Sequence, residues 1–360
     1  MQPILRHLRV SVETMSPGYF SMVMATGILS LAAHLMQLPL LARMLFGLNC
    51  ALFAGIGLLA LLHLYWHPRQ VRDDLFDHLR APGFFTLVAA CSILGSQCLL
   101  LGGSLRIALL LGGCGLLVWV GFTYTIFTVL TVKQDKPSLD RGINGGWLLA
   151  VVATQSMSVL AALLSNELPQ PVRMELNFFA LSMWLWGGML YIWMMSLIFY
   201  RYTFFPFSPA DLSPPYWINM GAMAISTLAG SLLILNTPHA PFLNSMLPFL
   251  KGFTVFYWAT GTWWIPMLLV LAVWRHLVRR FPFAYDPMYW GAVFPLGMYA
   301  VSTLRMIDAL HLPFLAPLPQ LMFAIGMLAW CLLFLGQLRA LPRHWRATRT
   351  RTSRRLDPDQ

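Results

Sequence analysis

The chain has 360 residues, 58% of them hydrophobic and only 10% charged, with a formal net charge of +11 at pH 7. That much apolar side chain exceeds what one soluble domain of this size can bury, which excludes a water-soluble enzyme or binding module. The positive charge follows from the membrane topology derived below, so it implies no nucleic-acid partner.

A bilayer core about 30 Å thick needs about 20 apolar residues per helix. Ten runs of that kind cover residues 15–37, 44–65, 83–101, 106–130, 144–164, 176–200, 216–235, 250–274, 288–308 and 319–338, and predict an all-α polytopic membrane protein. Residues 1–14 are short and basic and the first run is long enough to span, so no cleavable signal is expected. The first run opens with "PGYF" at 17 and carries "ATG" at 25; the third opens with "PGFF" at 82 and carries "ACS" at 90. The fifth has "GGW" at 145 and "ATQS" at 153, the seventh "PYW" at 215 and "ISTLAG" at 225, the ninth "PMYW" at 287 and "VST" at 301. Successive openings are 65, 63, 70 and 72 residues apart, the length of one helical hairpin used five times.

Small residues let helices approach closely, and hydroxyls satisfy freed backbone groups or offer a ligand a hydrogen bond. In a single helix, packing is the commoner use. Shared by five helices that start on the same side, the pattern predicts an inner ring of odd-numbered helices around a path, with the even ones outside. Candidate lining residues are Phe20, Thr26, Phe84, Thr154, Ser226, Thr227 and Ser302. The ninth run holds Phe294, Pro295 and Gly297, an arrangement that weakens or bends an ordinary helix. Such a break is tolerable in a bilayer only where the helix lines a cavity or packs against protein.

Cytoplasmic segments carry the Lys and Arg excess. With the N-terminus inside, 19 of the 24 basic residues fall on the inner side, supporting an even number of helices and cytoplasmic ends. Asp308 is the one acidic residue approaching a membrane interior, and it follows Arg305 at the i, i+3 spacing of a structural ion pair. A vestibule that attracts anions is the other reading of that pair. A buried-carboxylate proton relay is disfavoured. Cys50, Cys91, Cys98, Cys114 and Cys331 lie in apolar runs without ligand spacing, and His34 and His63 stand alone, so neither a metal nor a cofactor is expected. With no cluster of nucleophiles, carboxylates or histidines at membrane depth, an enzyme is not expected. A path without fixed acidic charge suits anions better than cations.

The segments "PGYFSMVMATGILS" at 17–30, "PPYWINMGAMAISTLAG" at 214–230, "YWATGTWWIPMLLVLAVWRH" at 257–276 and "FPLGMYAVSTL" at 294–304 resemble the tellurite-resistance/dicarboxylate transporter family. That family includes the plant slow anion channels, and the short tails here look like a bacterial member. The resemblance implies five helical hairpins in quasi-five-fold arrangement around a central pore, a homotrimer with one pore per subunit, and Phe294 as the pore-occluding residue. It implies a channel or facilitator for small inorganic or dicarboxylate anions in the bacterial inner membrane. The alternative is a secondary transporter of C4-dicarboxylate, sulfite or tellurite driven by the proton gradient. Residues 1–340 are then a single transmembrane domain in the lipid bilayer and 341–360 a basic cytoplasmic tail, at most in contact with anionic lipid.

The charge distribution makes a direct prediction: reporters fused to either end of the chain are cytoplasmic. Ends on opposite faces of the membrane would remove the ten-helix reading and the hairpin repeat with it.

Overall fold

The computed structural model describes residues 9, 12–13, 15–282 and 286–354, with side chains as far as 340. Among the described residues ten helices are long and apolar enough to cross a membrane. They are α1 (Pro17–Leu35), α2 (Pro39–Trp66), α3 (Ala81–Leu100), α4 (Leu105–Val132), α5 (Gly145–Glu167), α6 (Val172–Phe204), α7 (Pro214–Leu235), α8 (Leu247–Val278), α9 (Pro287–Leu310) and α10 (Pro313–Ala340). Each contains one of the predicted runs or overlaps nearly all of it. The helical backbone of α10 continues to Arg354, while the side chains of the basic tail 341–360 lie outside the described residues.

The odd helices share a start. Each begins with a short 3₁₀ turn, Pro17–Phe20, Ala81–Phe84, Gly145–Leu148, Pro214–Trp217 or Pro287–Tyr289, that leads directly into the α-helix. Proline suits the first helical turn, where its missing N–H would have no partner anyway. The five turns touch in a closed cycle at one end of the molecule. Gly145 makes this possible on one side, since a Cβ there would lie 2.6 Å from the Pro215 carbonyl oxygen. Beyond the turns, α1, α3, α5, α7 and α9 each pack on the next, and α9 returns to α1. Every even helix packs outside the odd helix of its own hairpin.

Burial separates the two layers. Between 67% and 94% of the apolar core of each odd helix is buried, against 11–22% for α2, α4, α8 and α10 and 56% for α6. Exposed large apolar side chains such as Leu40, Leu61, Leu117 and Leu328 lie on the even helices. In water such a surface would aggregate; in a bilayer it is the solvated face.

At each of the five joints between hairpins a hydrogen bond runs from an even helix to the following odd one. The Trp119 indole of α4 donates to the Thr154 hydroxyl of α5 at 2.9 Å, and Trp184 of α6 to the Ser226 carbonyl of α7 at 2.8 Å. Trp258 of α8 donates to Thr303 of α9 at 3.0 Å, and Trp330 of α10 to Thr26 of α1 at 2.9 Å, which closes the ring. At the fifth joint the Asn49 amide of α2 donates to Gln97 of α3 at 2.6 Å. At the end where the odd helices begin, the buried Arg201 guanidinium donates to the Asp140 carbonyl, the Tyr216 hydroxyl and the Asp211 carboxylate. Burial alone would raise the Asp211 carboxyl, but hydrogen bonds from Ser208 and the nearby Arg201 hold it below the usual carboxylate range.

Trp119→Phe and Trp330→Phe each remove one joint while keeping most of the ring volume. Each is expected to lower stability in detergent by about 0.6–1.7 kcal/mol, the range for hydrogen bonds between membrane helices. The two losses should add, since the joints are far apart. Melting curves unchanged in both single variants and in the double variant would leave the joints without a stabilising role.

Candidate functional site

The side chains around Phe294 fix how α9 is turned. A Cβ on Gly221 of α7 would lie 2.7 Å from Cγ of Pro295, so Pro295 faces α7 and needs a glycine opposite it. On Gly297 a Cβ would lie 2.8 Å from Ile28 and 3.1 Å from Leu29, so that residue faces α1. Leu296 meets Gly326 of α10, whose Cβ would stand 3.5 Å from that of Leu296. Three sides of α9 are thereby assigned to α7, α1 and the outer layer. Phe294 stands two residues before Leu296, about 200° round the helix at about 100° per residue, on the side of α9 away from α10. Its side chain is 1% exposed.

Pro295 does not end the helix, which runs as one α-helix from Trp290 to Leu310. The proline removes the donor that the Gly291 carbonyl would have used, inside a ring where neighbouring helices exclude lipid.

Counting from the start of each α-helix gives the residues that share Phe294's register. The α-helical segments begin at Ser21, Phe85, Leu149, Ile218 and Trp290. The residue four positions on is Ala25, Ala89, Ala153 and Ala222 in the first four, and Phe294 in the fifth. All four alanines are buried, at no more than 1% exposure. Counted from the helix starts, one large aromatic residue thus shares its position with four alanines. Ala25 and Ala153 open the small-residue clusters seen in the sequence, whereas Ala89 and Ala222 lie just before theirs; the register of the five openings, carried four residues into each helix, brings the four together.

The other expected lining residues are placed differently. The hydroxyls of Thr26 and Thr154 lie five residues into their α-helices and accept indole N–H groups from α10 and α4, so they face the outer layer and not the ring interior. Phe20 packs on Phe53 of α2 with ring centroids 6.0 Å apart, and Phe84 on Phe122 of α4 at 5.2 Å, so both also look outward. The reason is the opening turn: a 3₁₀ helix advances three residues per turn, so a face extrapolated from the α-helix is out of phase there. Ser226, Thr227 and Ser302 return their hydroxyls to the carbonyls of Ala222, Met223 and Tyr299 in their own helices.

Arg305 lies eleven residues after Phe294, about three turns on and on nearly the same face. Its guanidinium is 3.4 Å from the Asp308 carboxylate, with side-chain exposures of 28% and 54%. A pair with this much exposure contributes little to stability.

The pattern that defines the voltage-dependent anion channels matches residues 14–338, which takes in α1 to α9 and nearly all of α10. The chain belongs to that family. It is 24% identical over 303 residues to an uncharacterized transporter of Methanocaldococcus jannaschii, a stretch covering 81% of this chain and 84% of the relative. Over a shorter stretch of 152 residues it is 38% identical to an uncharacterized membrane protein of Mycobacterium tuberculosis, covering 42% of this chain and 77% of that one. The family expected from the helix motifs is therefore the family of the chain, and its members carry anions across membranes.

Cysteine substitutions can test how the family ring is oriented. With Phe294 shortened to Ala, cysteines at Ala25, Ala89 and Ala153 are expected to react with small charged thiol reagents in the membrane. Cysteines at Thr26 and Thr154 should stay protected behind the indoles. The reverse pattern would mean that the odd helices are turned the other way.

Proposed function

We propose that the protein is a channel for small inorganic or dicarboxylate anions, with a path down the inside of the five odd helices and Phe294 closing it. The observation that carries this reading is the register of one phenylalanine with four alanines. The methyl groups leave a space at the ring's centre that a single aromatic side chain can fill or vacate. A hydrophobic constriction of this kind excludes a hydrated ion sterically and by its low polarity.

Charge supports the sign of the conducted ion. Five helix N-termini meet at one mouth and bring partial positive charge to it, and Arg305 stands toward the other. Among the described residues the buried acidic side chain is Asp74, in the short helix Pro68–Leu75 outside the ring and already paired with Arg80 at 2.5 Å. A ring interior without a carboxylate favours passive conduction over proton coupling. The rest of the family picture belongs to the same reading: regular five-fold pseudosymmetry, a homotrimer with one path per subunit, and a bacterial inner membrane with both ends of the chain cytoplasmic.

Shortening the plug tests it. Phe294→Ala is expected to raise anion efflux from liposomes, normalised to folded protein, by about tenfold or more, a barrier change of about 1.4 kcal/mol. Phe294→Leu should fall between. A ring that only packs predicts the opposite, with a cavity costing about 3–5 kcal/mol and loss of stability and flux together. A well-folded Ala variant that conducts no more than the wild type would remove Phe294 as the gate. Reversal potentials that follow the anion gradient and ignore pH identify a channel; a shift with pH identifies the coupled transporter.

A further inference from the structure

On the outside of the ring, at the end where the odd helices begin, a groove of about 370 Å³ opens between α7, α8, α9 and α10. Its walls are apolar, formed by Leu268, Ala272, Val293, Leu296, Leu332 and Leu333. Its polar groups include Ser213, Arg275 and His276, and no acidic side chain lines it among the described residues. Arg275 and His276 sit in a π turn, Trp274–Val278, that ends α8. Turns of this kind are frequent at functional sites because they re-aim side chains out of the α-helical register.

The Arg275 guanidinium is held from two sides. It donates to the Leu212 carbonyl and lies over the Phe281 ring with its carbon 4.4 Å from the centroid. Its Nε is buried and has no hydrogen-bond partner among the described residues. A cation placed this way at a membrane boundary is costly unless an anion completes it.

We infer that this groove binds one anionic phospholipid, the phosphate on Arg275 and an acyl chain along the leucine walls. The two halves of such a molecule match the two halves of the groove, one apolar and one basic. A zwitterionic lipid offers the same chains but carries its own cation beside the phosphate. A second groove, of about 420 Å³ between α1, α2, α3 and α4, shows the contrast. Its lining includes Asp74, which already pairs with Arg80 at 2.5 Å, so it presents a carboxylate where the first groove presents a guanidinium.

The site also has a route to conduction. Val293 and Leu296, which wall the groove, bracket Phe294 in the chain, so a lipid seated there touches the back of the helix that carries the plug. This effect on flux rests on the proposed anion path, whereas the binding itself does not.

Native mass spectrometry of the full-length protein, supplied with phosphatidylglycerol or with phosphatidylcholine of the same chains, tests the binding directly. The wild type is expected to retain one phosphatidylglycerol per chain in preference to phosphatidylcholine. Arg275→Gln should weaken that retention by about tenfold. Ala329→Trp, which fills the groove, should abolish it, while Gly57→Trp in the second groove should leave it unchanged. Equal retention of the two lipids, or undiminished phosphatidylglycerol on a folded Arg275→Gln protein, would overturn the inference. So would an Ala329→Trp protein that keeps its lipid but loses its oligomeric state, because the groove would then be a surface between copies of the chain. If Ala329→Trp does not fold, the Arg275→Gln comparison decides alone. Because the readout is bound lipid, its failure would leave the anion path standing, and a failed Phe294→Ala flux experiment would leave the lipid site standing.

Discussion

A polar side chain on a helix within a bilayer has no water to turn to, and this constraint organises the ring. Every joint between hairpins includes such a side chain, reaching from an even helix to the following odd one. Four joints use an indole N–H, which brings a large apolar body for packing and a single donor that must be placed. The fifth, where Asn49 meets Gln97, uses two amides, and both keep a buried atom without a partner, Asn49 Oδ1 and Gln97 Nε2. Because an unmet indole in hydrocarbon is costly, the joints constrain how each hairpin can be rotated against its neighbour. With that rotation set, the inside of the ring follows.

Close approach within the ring depends on where side chains are missing. Gly221 admits the Pro295 ring, and Gly297 admits Ile28 and Leu29, so α9 is gripped by both its neighbours. Pro295 is thus as much a packing residue as a helix breaker, and the α-helix continues through its position. At Phe294's level the same economy appears as four alanines.

The outer layer serves a different solvent. Its apolar faces need only match lipid, so apart from α6 its helices are long, mostly exposed and free of close glycine contacts along much of their length. Gly47, Gly55, Gly113, Gly121 and Gly252 have nothing within 4 Å of a built Cβ. The exceptions are places where an even helix touches the ring, such as Gly326 against Leu29, or another even helix, as Gly188 of α6 against Tyr257 of α8. Grooves between outer helices are therefore where the bilayer reaches closest to the odd helices. The one behind α9 is the basic one.

Much of the fold was legible in the sequence because bilayer physics acts on local composition. Ten apolar runs, the repeated Pro/Gly-aromatic openings and the placement of Lys and Arg were enough for ten helices, the hairpin repeat and an inner odd set. The motifs in the first, seventh, eighth and ninth helices were enough for the family. Rotation about each helix axis was not legible. Thr26 and Thr154 look like lining residues in one dimension, but whether a hydroxyl faces a path or a neighbouring indole depends on Trp330 and Trp119, far away in the chain. Phe20 and Phe84 were misplaced for a local reason, the 3₁₀ turn that shifts the phase of the opening residues. Ala25 and Ala153 were read only as part of small-residue clusters and Ala89 and Ala222 not at all, because the four share a position only once the helix starts are known. The sequence by itself determined which segments cross the membrane, since that depends on the transfer energy of each residue. Only the tertiary structure decided which face of each helix turns inward, because that depends on partners brought together by folding.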